Sequence, residues 1–261
     1  LTKKFHEFCV ESKLNVIYIC ASEKFSSWAI NNVCGIKIEI GEEPVFDPNF
    51  DPTFGPNGNK LRYKIKHAKE IGLEVKEYVT TDPKIEEEII KLGKKWLKKR
   101  KGPQIHLGEL EFFKDRQYKR WFYETYKGKI VGVSVLSHLE KQKGWLLKFL
   151  IVDPDGPKIS SEFLMFSILE TLKNEDHQFL TNGIVPLHKL GEVVGLSSFS
   201  KLIAQVAFKI SNCIFHFEQR KTFWRKFRPS ANRSYVLFGN PKIGLNEIRA
   251  LIKTLNINIC Y

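Results

Sequence analysis

Residues 160–172 read Ser-Ser-Glu-Phe-Leu-Met-Phe-Ser-Ile-Leu-Glu-Thr-Leu, a helix-length segment that is apolar on most sides. A helix of that kind must be buried around most of its circumference, so the rest of the chain has to be built about it. The preceding sequence indicates how. Residues 121–126, 130–139 and 144–152 are strand-length apolar segments in meander order, with Lys127-Gly128 as the first turn. The third leads through Asp153-Pro154-Asp155-Gly156-Pro157 straight into the apolar helix.

The remaining elements fit around that unit. Residues 5–11 and 27–32 read as short helices and 16–20 as a strand. Ile36, Ile38 and Ile40 alternate with Lys37 and Glu39, which predicts a half-buried strand over 34–40. The Pro/Gly/Asp-rich stretch 44–58 is long for a connection and is a candidate functional loop. Asn59 is placed to cap a helix that Gly72 stops, with Leu61, Ile65 and Ala68 on its buried face. A strand over 73–79 follows, and Asp82-Pro83 opens a helix whose Ile85, Ile89, Leu92 and Trp96 share one side. Past 172 we expect a strand at 179–183, helices at 199–214 and 217–227, a strand at 235–238 and a last helix at 245–255. This order predicts an α+β (mixed α/β) fold, with mixed sheets flanked by helices.

Formal net charge is +13, which favours a polyanionic partner such as RNA, DNA or an anionic membrane surface, or else reflects a generally Lys-rich composition. Charge and aromatics meet in 215–229, where Phe215, Phe217, Phe223, Trp224 and Phe227 are interleaved with Arg220, Lys221, Arg225, Lys226 and Arg228. Cations among aromatics suit a site that holds an anion against an apolar wall. The alternative is an amphipathic helix with Phe223 and Phe227 in the core. The cysteines (Cys9, Cys20, Cys34, Cys213, Cys260) lack zinc spacing and read as reduced cytosolic thiols, so no metal is expected. No run approaches the ~18–20 apolar residues of a membrane span, so any work on lipid is done from the water side. The chain begins at Leu1 and its single methionine is Met165, which leads us to expect a piece of a longer protein or one with its beginning removed.

The unit at 145–172 resembles acetyltransferases of the GNAT class, but Asp153-Pro154-Asp155-Gly156-Pro157 offers few amides and two repelling carboxylates to a pyrophosphate, so acetyl-CoA is not expected there. A closer resemblance rests on several short motifs in order. They are Trp96-Leu97 with Arg100-Lys101-Gly102 and His106-Leu107, Gly128-Lys129-Ile130-Val131-Gly132, Asp153-Pro154 with Ser161-Glu162-Phe163-Leu164, Asn182-Gly183, and Phe223 with Arg225-Lys226-Phe227-Arg228-Pro229 and Tyr235. Together they resemble the C-terminal catalytic domain of phosphatidylglycerol lysyltransferases. The run Lys101-Gly102-Pro103-Gln104-Ile105-His106-Leu107, the 153–157 loop and Gly244-Leu245 look closest to the fungal branch that aminoacylates ergosterol. Residues 228–232 lack the Trp that bacterial members tend to have, and 153–160 is less hydrophobic than is usual in the family.

The resemblance implies two GNAT-like lobes in tandem, residues 1–101 and 102–261, with the active site in the second. It implies transfer of an amino acid from aminoacyl-tRNA to a lipid hydroxyl at the membrane surface, without CoA or another cofactor. The partners it implies are aminoacyl-tRNA, the lipid acceptor, and a fused or separate aminoacyl-tRNA synthetase, but not DNA. An aminoacyl ester is already activated, so such an enzyme must position the reactants and stabilise an oxyanion. No Gly-x-Ser-x-Gly elbow is present, which agrees with direct transfer.

Candidate roles follow. Lys226, Arg228 and Arg225 would hold tRNA phosphate or the oxyanion, or else are surface charge. Asp153 would take the α-ammonium of the amino acid, or else caps a turn. Glu162, in the first turn of an apolar helix, would have a raised pKa and act as general base, or else answers the helix dipole. His106 would shuttle a proton, or else is a loop histidine with no role. Lys148, a lone cation in an apolar strand, would need Asp153 or Glu162 as partner. Arg62, Lys64 and Lys66 would contact the tRNA backbone, or else form a solvated face. Two other readings stay open: a catalytically silent basic module for RNA or anionic membrane, and a CoA-dependent N-acyltransferase.

Overall fold

The computed structural model describes residues 1–99, 110–187, 189–198, 200–202, 204–205 and 222–254. Its elements are α1 (Thr2–Glu11), β1 (Ile17–Ser22), α2 (Glu23–Ile30), β2 (Ile36–Phe46), α3 (Asn59–Glu70), β3 (Glu74–Tyr78), α4 (Pro83–Lys99), β4 (Lys119–Tyr126), β5 (Lys129–Leu139) and β6 (Gly144–Val152). They continue with α5 (Ser160–Asn174), β7 (Leu180–Thr181), β8 (Val185–Pro186), β9 (Val193–Val194), β10 (Ser230–Phe238) and α6 (Leu245–Thr254). One mixed sheet runs β1-β10-β2-β7-β6-β5-β4-β3, with β8 and β9 added on β2. Every pairing is antiparallel except β6 with β7. The fold is therefore α+β, a large mixed sheet flanked by helices.

The meander β4-β5-β6 is sandwiched. On one face α3 and α5 pack Leu61, Ile65, Ala68, Phe163, Leu164, Met165, Ile168, Leu169 and Leu172 against Phe122, Leu136, Trp145 and Leu147. On the other, α4 packs Ile89 and Leu92 against Tyr78, Trp121, Val133, Val135 and Ile151. The apolar helix α5 thus sits in the largest cluster of buried side chains, as its composition requires.

Bulges reset which side chains face where. Between β5 and β6 the register passes from Val135↔Phe149 to Leu136↔Leu147, leaving Lys148 as the extra residue. That corrects the expectation of a carboxylate partner. Lys148 is exposed over the Phe149 ring and needs neither Asp153 nor Glu162.

Several boundaries move. The second strand runs on to Phe46, so the Pro/Gly-rich loop begins only at Asp47. Asn59 is the first residue of α3 rather than its cap. The strand expected at 179–183 shrinks to Leu180–Thr181. The helices expected at 199–214 and 217–227 lie largely outside the described residues.

The sheet draws strands from both sides of residue 101. β10 lies between β1 and β2, in register with β2 from Ser230 to Phe238, and β3 pairs with β4 from Glu74 to Tyr78. Co-expressed as two chains, 1–101 and 102–261, the pieces are expected to co-purify by size exclusion. Expressed singly, each is expected to be insoluble, because each leaves long strand edges open. Two soluble, non-interacting pieces would contradict this.

Candidate functional site

Helical spacing brings Lys64 to the site. On α3 it falls three residues after Leu61 and four before Ala68, so it sits at the margin of the buried face and reaches toward α5. At the start of α5, Glu162 is buried, its side chain only 3% exposed. Lys64 Nζ donates to Glu162 Oε1 at 2.5 Å, and Lys226 Nζ donates to the same oxygen at 2.7 Å. Ser161 Oγ bonds Oε2 at 3.2 Å. The structure therefore brings together three candidates from three separate stretches of chain.

Lys226 is carried on a tight turn. The amides of Lys226, Phe227 and Arg228 donate to the carbonyls of Phe223, Trp224 and Arg225. Phe227 is buried against Phe46 and Phe223, and Trp224 packs on Phe46, so the aromatics of this stretch anchor it while its cations stay outside. Lys226 Nζ lies 5.1 Å from the centre of the Phe223 ring. Arg228 then turns the chain at φ +54°, a value uncommon for a non-glycine residue, and leads into β10.

Glu162 does not have the raised pKa expected of a general base. Burial alone would push its carboxyl up, but the bonds from Lys226 and Lys64 outweigh that and hold it below the ordinary carboxylate range. Its place in the first turn of α5 also favours the charged form. Glu162 is thus an ionised strut. It holds two ammonium groups side by side, each spending one of its donors on the carboxylate. With side chains 36% and 38% exposed, Lys64 and Lys226 keep their remaining donors toward solvent, where an anion can be met.

The other candidates lie apart from this trio. Arg62 donates to Thr53 O at 2.6 Å and also bonds Asn59 Oδ1. Arg228 donates to Phe54 O at 3.1 Å and stacks over the Phe50 ring at 4.7 Å. Both arginines thus pin the 47–55 loop beside the lysines. Arg225 is exposed, and Lys66 pairs with Glu70 at 3.8 Å on the solvent face of α3. His106 lies outside the described residues. Asp153 accepts Lys95 Nζ at 2.6 Å and the amide of Asp155 at 2.9 Å, so it is held by α4 and by its own turn. Asp155 is in turn bonded by Lys99. The amides of Asp155 and Gly156 both bond back to Asp153, leaving neither for a phosphate. Among the described residues no hydrogen bond or ion pair joins Asp153 to Glu162. Asp153→Asn is therefore expected to cost under about 1 kcal/mol in thermal unfolding and to leave the lysine trio intact.

One residue was missed. Glu124 on β4 is fully buried, opposite Gly132 on β5. A Cβ at Gly132 would lie 3.0 Å from Glu124 Oε2, so the glycine makes room for the carboxyl. Neither carboxyl oxygen meets the geometry of a hydrogen bond among the described residues, and nor does Ser160 Oγ at the head of α5. Burial pushes Glu124 up to about 8, with Ser160 drawing it slightly back. A lone carboxylate in the aromatic strand Trp121-Phe122-Tyr123-Glu124-Thr125-Tyr126 was the available signal. Among the described residues no cluster of three or more His, Cys, Asp or Glu side chains is arranged to hold a metal, and no helix is long and apolar enough to cross a membrane.

The fold has counterparts. The sequence profile of the family "Phosphatidylglycerol lysyltransferase, C-terminal" matches residues 1–238, and the chain belongs to that family, whose business is lipid aminoacylation. Among solved structures, the C-terminal domain of a protein assigned as a lysylphosphatidylglycerol synthetase from Agrobacterium fabrum aligns with TM-score 0.74 and 20% identity, over 98% of this chain and 77% of that one. L-PGS from Bacillus licheniformis aligns with TM-score 0.74 and 17% identity, over 97% and 76%. A conserved protein of unknown function from Bacteroides thetaiotaomicron aligns with TM-score 0.57 and 9% identity, over 91% and 74%. At these identities the structures speak for the fold. No match was found among curated proteins.

Proposed function

We propose that this domain transfers an amino acid from aminoacyl-tRNA to a lipid hydroxyl, and that Lys64 and Lys226 form the anion-holding clamp of the reaction. The observation that carries this is the convergence of two half-exposed ammonium groups on one buried, ionised Glu162. In the transfer, the acceptor oxygen bonds the ester carbonyl carbon and the carbon–ribose oxygen bond breaks. The hydroxyl proton ends on the ribose oxygen. Charge gathers on the carbonyl oxygen in between, and fixed ammonium donors stabilise it without rearranging. The reaction needs no redox step and no acyl-enzyme.

Finer features belong to the same reading. The acceptor is a sterol, as in the fungal ergosterol branch, or phosphatidylglycerol. A fused or partner synthetase supplies the charged tRNA. The domain works peripheral to the membrane as two GNAT-like lobes, 1–101 and 102–261, that share one sheet and exchange strands across residue 101. Arg62, Arg225 and Lys66 give the tRNA backbone a basic approach, Asp153 takes the α-ammonium of the amino acid and His106 shuttles a proton.

The test is incubation with radiolabelled aminoacyl-tRNA and a membrane lipid extract. RNase-sensitive label in the organic phase is expected, and its chromatographic position separates sterol from phospholipid. With every aminoacyl-tRNA supplied, an unlabelled organic phase together with retained tRNA binding would favour a silent basic module.

A further inference from the structure

The 47–55 loop is tied down by hydrogen bonds yet presents exposed aromatic surface, Phe54 openly and Phe50 on the side that the Arg228 guanidinium leaves uncovered. Asp47 Oδ1 accepts the Asn49 amide at 2.9 Å, and Asp51 Oδ1 accepts the Thr53 amide at 2.8 Å and its hydroxyl at 2.7 Å. Arg62 and Arg228 clamp the backbone at Thr53 and Phe54. On this fixed frame Phe54 is 74% exposed and Phe50 40% exposed, and on the adjoining α3 Tyr63 is also exposed. Exposed rings on an ordered loop are costly in water, and a set of them rimmed by charge marks a contact surface.

The surrounding charge selects the partner. Arg62 and Arg228 bond the loop itself, against Asp47 and Asp51 within it, and Lys64 and Lys226 follow on the same two stretches of chain. Apolar rings set among cations match the boundary of an anionic bilayer, where rings enter between headgroups and cations meet phosphates. We propose that Phe50, Phe54 and Tyr63 form the surface by which this domain sits on an anionic membrane, with Arg62 and Arg228 at headgroup level. This rests on the lipid-acceptor reading. It places the mouth of the Lys64–Glu162–Lys226 clamp at the interface, where an acceptor hydroxyl is found without the lipid leaving the bilayer.

The experiment is co-sedimentation with phosphatidylcholine vesicles, with and without about a third phosphatidylglycerol, run beside filter binding of tRNA. Wild type is expected to sediment with the anionic vesicles in a salt-sensitive manner. A Phe50→Ser/Phe54→Ser double variant is expected to bind them about tenfold more weakly, while its tRNA binding and melting temperature stay unchanged. Val79→Ser removes an equally bare apolar side chain elsewhere and is expected to bind as wild type does. Undiminished vesicle binding by the double variant overturns the proposal. So does a parallel loss of tRNA binding, which would make the rings a base-stacking surface. No transfer activity enters these readouts, so vesicle binding through the loop alongside a failed transfer assay would sink the enzymatic reading and leave this surface standing.

Discussion

A Lys64→Met/Lys226→Met double variant is expected to transfer amino acid at no more than about a thousandth of the wild-type rate, since removing even one donor to a developing oxyanion commonly costs 10²–10³. The two lysines share one acceptor atom, Glu162 Oε1, so they act as a unit, and each single variant should lose nearly as much as the double. The double variant also strands a buried carboxylate, and breaking a buried ion pair from one side costs about 3–5 kcal/mol. Adding Glu162→Gln removes that stranded charge. The triple variant should therefore recover most of the lost stability, read by urea unfolding, without recovering transfer. If transfer returned with stability, the lysines would be mere packing for Glu162 and the clamp would be wrong. Glu162→Gln alone keeps both ammonium groups but releases them from their fixed position. It should slow transfer while leaving tRNA binding near normal. The acid side offers a further check. The folded-state pKa of Glu162 lies below its unfolded value, so its pairing stabilises the fold above the unfolded pKa. That stability is lost as pH falls through the lower, folded value. The clamp should accordingly persist into mildly acidic buffer.

The parts of this molecule that sequence discloses are those governed by local periodicity. The meander, the buried helix α5 and the apolar faces of α3 and α4 follow from spacings of two and of three or four, and each is found where those spacings put it. The site is legible only in pieces. Glu162 is recognisable as a charge in an apolar helix, and Lys226 as a cation among aromatics. Their mutual contact joins positions 64 apart, and the contact with Lys64 spans 98. No local pattern encodes such distances, so the pairing that lowers the pKa of Glu162, rather than raising it, could not be read. Lys148 and Glu124 make the sharper contrast. Lys148 is the lone charge of an apolar strand, and Glu124 the lone carboxylate of a largely aromatic one. A bulge turns Lys148 out to solvent, while the facing Gly132 lets Glu124 be buried whole. Strand registry decides between those outcomes, and registry depends on a neighbouring strand.

Above neutral pH, a Glu124→Gln variant is expected to be more stable than wild type. The folded-state pKa of Glu124 is raised to about 8 from an ordinary value of 4.5 by burial among β4, β5 and α5, with no charged side chain among its causes. A raised carboxyl holds its proton in the folded chain after the unfolded chain has lost its own. Unfolding therefore releases a proton between these two values, and stability falls steadily as pH rises from about 4.5 to 8. Each pH unit costs up to about 1.4 kcal/mol over that window, and local relaxation reduces the sum to roughly 2–4 kcal/mol. Gln has a similar shape and carries no titrating proton. The two proteins should thus match to within about 1 kcal/mol in mildly acidic buffer and diverge by roughly 2–4 kcal/mol at alkaline pH. In melting temperature the variant should lead by about 5–10 °C there. The difference between the two curves cancels every other titrating group, so parallel curves would mean that Glu124 is solvated or paired in solution. Activity then separates two meanings of the buried acid. A variant that is more stable and fully active makes Glu124 a packing tolerance granted by Gly132. One that is more stable but slow in transfer makes it a destabilising group retained for its effect on the head of α5, where Ser161 and Glu162 orient the lysines.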